Sequence, residues 1–98
     1  MGKNLINIAL FGLGRIGQMH ADNLIANPNF NLKYIFDIDL KLSKKLSKKY
    51  SCDSIEAPSL AFKDKDIKCI FIASSTATHL KFIKKVLKIR KLFFVKSL

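Results

Sequence analysis

Ile6-Asn-Ile-Ala-Leu-Phe-Gly-Leu-Gly-Arg-Ile-Gly17 is the stretch from which the rest of this chain can be read. Its opening is apolar and rich in β-branched residues, as a strand covered on both faces requires. It ends in Gly12-Leu13-Gly14-Arg15-Ile16-Gly17, the spacing G-x-G-x-x-G, and a helical pattern follows at once. Strand, tight turn and helix in that order cradle the pyrophosphate of a dinucleotide. Each glycine has its own task. Gly12 allows the turn out of the strand, Gly14 lets the phosphates approach the backbone, and Gly17 lets the helix lie close to the strand. Arg15 and Ile16 sit in the same turn, and the open N–H groups of the helix face the anion.

Alone, G-x-G-x-x-G is a weak signal that ordinary glycine turns also produce. The sequence downstream strengthens it. A second strand-like run, Leu32-Lys-Tyr-Ile-Phe36, ends in Asp37, twenty positions after Gly17. A carboxylate there accepts hydrogen bonds from the adenosine ribose hydroxyls and repels a 2′-phosphate. No arginine follows it directly, so NAD is expected over NADP, with Lys41 and Lys44 as nearby cations that soften the choice. The competing role for Asp37 is a helix cap, which Asp39 also suits.

Between and beyond these runs, strands and helices alternate. The spacing predicts a helix over 15–26, with Ile16, His20, Leu24 and Met19 toward its buried side. His20 is either a ligand or, more commonly at such a place, a packed side chain. Asn27-Pro28-Asn29 stops that helix, because proline disfavours a helical residue before it. A helix over 40–50 carries an apolar stripe at Leu42, Leu46 and Tyr50. Lys41, Lys44, Lys45, Lys48 and Lys49 form its outer face. A short strand is expected at Ser54 and Ile55, then a brief helix through Phe62 capped by Ser59. A strand follows over 67–73. The hydroxyl-rich Ser74-Ser75-Thr76-Ala77-Thr78-His79 comes next, at the carboxyl edge of the sheet where ligands bind. Thr78 caps a helix over 80–90, and His79 either touches a cofactor or begins that helix. A fifth strand occupies 92–95, with Lys96 just beyond it. The pattern predicts a single α/β domain: a Rossmann-like, doubly wound parallel sheet of about five strands in the order 3-2-1-4-5.

Composition bounds the rest. Ninety-eight residues with 49% hydrophobic content support one modest core. Lys+Arg of 18 against Asp+Glu of 7 gives a formal charge of +11, which raises the question of nucleic acid. The lysine run lacks interleaved aromatics and falls on polar helix faces, so a solvated surface is expected and nucleic-acid binding is not. Cys52 and Cys69 have no metal-site spacing, and both are expected reduced, with Cys69 buried. No signal-peptide pattern or bilayer-length apolar run occurs, which suggests a cytoplasmic protein away from membranes. No metal site is indicated.

Three stretches resemble one family. Ile8-Ala-Leu-Phe-Gly-Leu-Gly-Arg-Ile-Gly-Gln-Met-His-Ala21 is similar to the opening of the glucose–fructose oxidoreductase and inositol dehydrogenase family. Within that family the likeness is greatest to the inositol 2-dehydrogenases. Ile72-Ala-Ser-Ser-Thr-Ala-Thr-His79 resembles its loop after the fourth strand. Leu92-Phe-Phe-Val-Lys-Ser-Leu98 lies at its Glu-Lys-Pro signature, with Val95 and Ser97 in place of the glutamate and proline.

The resemblance implies an NAD-binding domain of an oxidoreductase acting on a polyol or sugar hydroxyl. It implies that Gly12, Gly14, Arg15, Ile16 and Gly17 meet the pyrophosphate and that Asp37 holds the adenosine ribose. Ser74, Ser75, Thr76 and His79 would border the nicotinamide, and Lys96 would assist catalysis. Members of that family carry a second, C-terminal domain that supplies most substrate contacts. By that resemblance the chain is expected to lack this domain and to be inactive alone. The alternative reading is a stand-alone dinucleotide-binding regulatory module.

Overall fold

A computed structural model describes residues 5–73 and, as backbone, 92–95. The elements follow the expected alternation: β1 (Ile6–Phe11), α1 (Arg15–Ala26), β2 (Phe30–Phe36), α2 (Leu40–Tyr50), β3 (Asp53–Ser54), α3 (Ser59–Lys63), β4 (Ile67–Ile72) and β5 (Leu92–Val95). The strands form one sheet in the order β3-β2-β1-β4-β5, and every pairing is parallel. This is the α/β Rossmann-like architecture that the alternation predicts. The helix expected over 80–90 lies outside the described residues.

β1 is central because its residues can be buried on both faces. Ile8 and Leu10 point to one side and join Ala21 and Leu24 of α1, Leu46 and Tyr50 of α2, and Leu32 and Ile35 of β2. Ala9 and Phe11 point to the other and join Phe36, Ile55, Ala61, Phe62, Ile67, Ile70 and Ile72. Phe11 meets the rings of Phe36 and Phe62 edge-on, with centroids 5.9 and 5.7 Å away. That is the geometry aromatic quadrupoles prefer.

Two irregularities set the phase of the flanking strands. Ile8 aligns with Leu32 but Ala9 with Tyr34, so Lys33 is an extra residue in β2. Asn7 aligns with Ile67 but Ile8 with Cys69, so Lys68 is an extra residue in β4. Each bulge lets residues three apart share a face: Leu32 with Ile35, and Ile67 with Ile70. The first bulge is pinned. Lys33 Nζ and the Tyr34 hydroxyl donate to the same Asp64 carboxylate oxygen, at 2.7 and 2.6 Å, while the Asp66 N–H donates to the other at 2.8 Å.

Several local expectations are corrected. β2 begins at Phe30, two residues early, because its first residues pair with Ile6 and Asn7. β3 is Asp53–Ser54 rather than Ser54 and Ile55, although the Ile55 N–H still reaches the Ile35 carbonyl at 3.0 Å. Pro58, not Ser59, stands at the N-cap of α3, and no side chain caps it. The buried stripe of α1 is Gly17, Ala21 and Leu24. His20 is half-buried against Phe71 and Met19 is 48% exposed. Small residues are needed there because α1 lies close over the β1 exit. Cys69 is half-buried, and both cysteines are free thiols. Burial pushes the thiol of Cys52 up to about 11 and raises that of Cys69.

Candidate nucleotide site

The site forms where the chain leaves β1. Gly12 adopts φ 97°, a conformation with little steric cost only for glycine. Its N–H donates to the Phe36 carbonyl at 2.8 Å, which holds the turn against the end of β2. On the other side the Ala73 N–H donates to the Phe11 carbonyl at 2.7 Å. The carboxyl ends of β1, β2 and β4 are thus stitched together at one level, the edge at which such sheets bind ligands.

Gly17 and Gly14 differ in what surrounds them. A Cβ at Gly17 would lie 1.9 Å from the Gly12 carbonyl oxygen, so helix and turn pack too closely there for any side chain. A Cβ at Gly14 would meet nothing within 4 Å. Gly14 has φ −70° and ψ −166°, ordinary extended backbone open to any residue. Neither space nor strain within the fold therefore explains a glycine at position 14. The missing side chain leaves that side of the turn open to a close approach from outside the chain.

Open donors stand at the same end of the helix. Gly14 is the N-cap of α1 and contributes no side-chain cap, and the N–H groups of Gly14, Arg15 and Ile16 have no acceptor among the described residues. No acidic side chain stands in the first turn to compete for them. Open donors at the positive end of a twelve-residue helix suit an anion.

Asp37 stands beside this turn. One carboxylate oxygen accepts from the Leu13 N–H at 2.7 Å, and the other from the Asp39 N–H at 2.8 Å. A carboxylate offers about four acceptor sites, so lone pairs remain for two ribose hydroxyls. The capping role belongs to Asp39, whose side chain accepts from the Leu42 N–H at 3.2 Å. Arg15 is exposed beside the turn and Ile16 is half-buried. Ser74, Ser75, Thr76, His79 and Lys96 lie outside the described residues.

Two residues of this site were not anticipated from sequence. Leu13 is fully buried, and its peptide groups are held by side chains on both sides. Gln18 donates from Nε2 to the Leu13 carbonyl at 3.0 Å. A glutamine in the second turn of a helix gives no distinguishing sequence signal, since the residue type is common there. Ile38, next to Asp37, is 76% exposed, an unusual place for a large apolar side chain.

No helix among the described residues is long and apolar enough to cross a membrane. The sequence profile of an oxidoreductase family with an NAD-binding Rossmann fold matches residues 6–95. An uncharacterized oxidoreductase of Bacillus subtilis (strain 168), YrbE, is 32% identical over 95 residues; these are 96% of this chain and 28% of that protein. A myo-inositol dehydrogenase from Corynebacterium glutamicum ATCC 13032 is 33% identical, with TM-score 0.86 over 94% of this chain and 28% of the other. GenD2 from gentamicin A biosynthesis, solved in complex with NAD, is 23% identical and shares the fold, with TM-score 0.89 over 94% of this chain and 26% of its own. The chain thus spans little more than a quarter of the length of these relatives. A glycine turn tied to an acid at the end of β2, a helix end with open donors and a match along nearly the whole chain lead to one assignment: the chain belongs to this oxidoreductase family and is its NAD-binding Rossmann domain.

Proposed function

We propose that this domain serves a dehydrogenase of the inositol dehydrogenase kind, one that oxidises a polyol or sugar hydroxyl with NAD. The observation that carries the reading is the empty space at Gly14, a glycine that the fold itself does not require. Bound there, NAD supplies the hydride acceptor, and the chain supplies binding and orientation. Gly12, Gly14, Arg15 and Ile16 line the pyrophosphate, and Gly17 serves the same site by letting the helix lie close to the turn. Asp37 takes the adenosine ribose and, by its charge, disfavours a 2′-phosphate, so NAD is preferred to NADP. Ser74, Ser75, Thr76 and His79 border the nicotinamide, and Lys96 acts on the substrate hydroxyl.

The relatives extend well beyond the part matched here, and a similar further domain would hold the substrate. Hydride transfer needs substrate fixed close to the cofactor. This domain alone therefore binds cofactor without turnover. Likeness to the myo-inositol dehydrogenase at 33% identity supports the substrate class.

The test is calorimetric titration of the chain with NADH and NADPH, alongside Gly14→Val. Saturable NADH binding, weaker NADPH binding and loss in the variant are expected. A folded wild-type chain that gives no heat with either cofactor would overturn the reading.

A further inference from the structure

We infer that Gln18 is the positioning residue of the nucleotide site, setting the direction in which the turn presents its N–H groups. The inference rests on the nucleotide reading above and concerns how the site is built before any ligand arrives. Two consecutive carbonyls are held by this one residue. The Gln18 backbone N–H donates to the Gly14 carbonyl at 2.9 Å, and the Gln18 side-chain Nε2 donates to the Leu13 carbonyl at 3.0 Å. The first is the ordinary opening bond of a helix. The second is not, because the carbonyl before an N-cap has no partner within the helix.

The geometry of the peptide unit converts these bonds into a direction. A trans peptide is planar, with C=O and N–H pointing opposite ways. No cis peptide bond occurs among the described residues. When the Leu13 and Gly14 carbonyls are drawn along the helix toward Gln18, the N–H groups of Gly14 and Arg15 are turned the other way. They point out of the helix end, on the side away from Gln18, where they meet no acceptor among the described residues. The Leu13 N–H is fixed separately by Asp37 at 2.7 Å. Leu13 is therefore held at both its N–H and its carbonyl, and its buried side chain keeps it from rotating. Without Gln18 the Leu13–Gly14 peptide keeps only its neighbours' restraint and can turn, so its donor is no longer aimed before binding. Pre-aimed donors spare the ligand that ordering cost.

Gln18 acts through the backbone and needs no contact with the ligand. The measurement uses the full chain and Gln18→Met, which keeps length and helix propensity but removes the donor. Nuclear magnetic resonance of the ligand-free proteins reads the order and exchange of the Gly14 and Arg15 amides. Titration then compares NADH with adenosine, which lacks phosphate. The expected result is a folded variant with looser Gly14 and Arg15 amides. NADH affinity should fall roughly three- to tenfold, the size of one neutral hydrogen bond, with adenosine binding unchanged. Unchanged amides, or NADH affinity equal to wild type, would overturn Gln18's role while leaving the nucleotide reading intact. Equal losses for NADH and adenosine would make Gln18 a general structural residue and overturn it too. A wild-type chain that fails to bind NADH would overturn the nucleotide reading itself, and Gln18's part in it.

Discussion

Gly14 and Gly17 are both glycines of one motif, yet substitution should separate them cleanly. A methyl at Gly17 collides with the Gly12 carbonyl, which is backbone and cannot rotate away. Gly17→Ala should therefore lose ~3 kcal/mol or more of stability, at the upper end for overpacking, or leave the chain unfolded in urea titration. Gly14→Val should cost no more than about 1 kcal/mol in the same titration, the loss of a favoured N-cap residue, because nothing surrounds the new side chain. The two outcomes in one experiment assign Gly17 to the fold and release Gly14 from it. Asp37 is legible from sequence by its distance from the motif, but its bond to Leu13 is not. Gln18 gives no sign of its role either. Its bond to Leu13 depends on how the turn places a carbonyl, and a spacing of five residues in a sequence does not report carbonyl directions.

Three element boundaries follow residue type, whereas α3 opens at Pro58 without the Ser59 cap. Asn27-Pro28 ends α1, Asp39 opens α2, and Ser51 closes it with φ 54°. The bulges in β2 and β4 were not legible, because their extra residues, Lys33 and Lys68, carry no glycine or proline to mark them. A lysine suits such a place, since its head can leave the sheet while its stem lies along it. Deletion of Lys33 should relax the strand into regular pairing. Leu32 and Ile35 would then stand two apart and stay on one face, with Tyr34 and Phe36 on the other, so the shortened chain should still fold cooperatively in urea titration, short of the Lys33 bond to Asp64.

The pin on this bulge is sensitive to acid. Hydrogen bonds from Lys33 and then Tyr34 hold the Asp64 carboxyl at about 2, below its ordinary 3.8. A depressed acid stabilises the folded chain above its unfolded value and loses that contribution as pH falls through the folded one. Thermal melts should show Asp64→Asn less stable at pH 7. Its further decline between pH 4 and 2 should be shallower than that of wild type.

Across the whole molecule, order should be graded outward from β1. Its residues Ile8 to Phe11 are sealed on both faces and paired on both edges, so their amides should be the slowest in hydrogen exchange, with those of β3 much faster. Exchange as fast in Leu10 as in Ser54 would contradict a core centred on that strand. The half-buried Cys52, with its thiol pushed up to about 11, should resist alkylation at pH 8 until the chain unfolds.

The central position of β1 also has a meaning in time. It leaves the ribosome before the other strands of this sheet, and its β2 edge can be satisfied soon after. Its other edge waits for Ile67, sixty positions after the Asn7 it pairs with. At ordinary rates of synthesis that is about 3–12 s in which an apolar strand has one open side. A nascent chain of this protein should therefore be most vulnerable to misassembly, and most in need of a chaperone, just before its fourth strand appears.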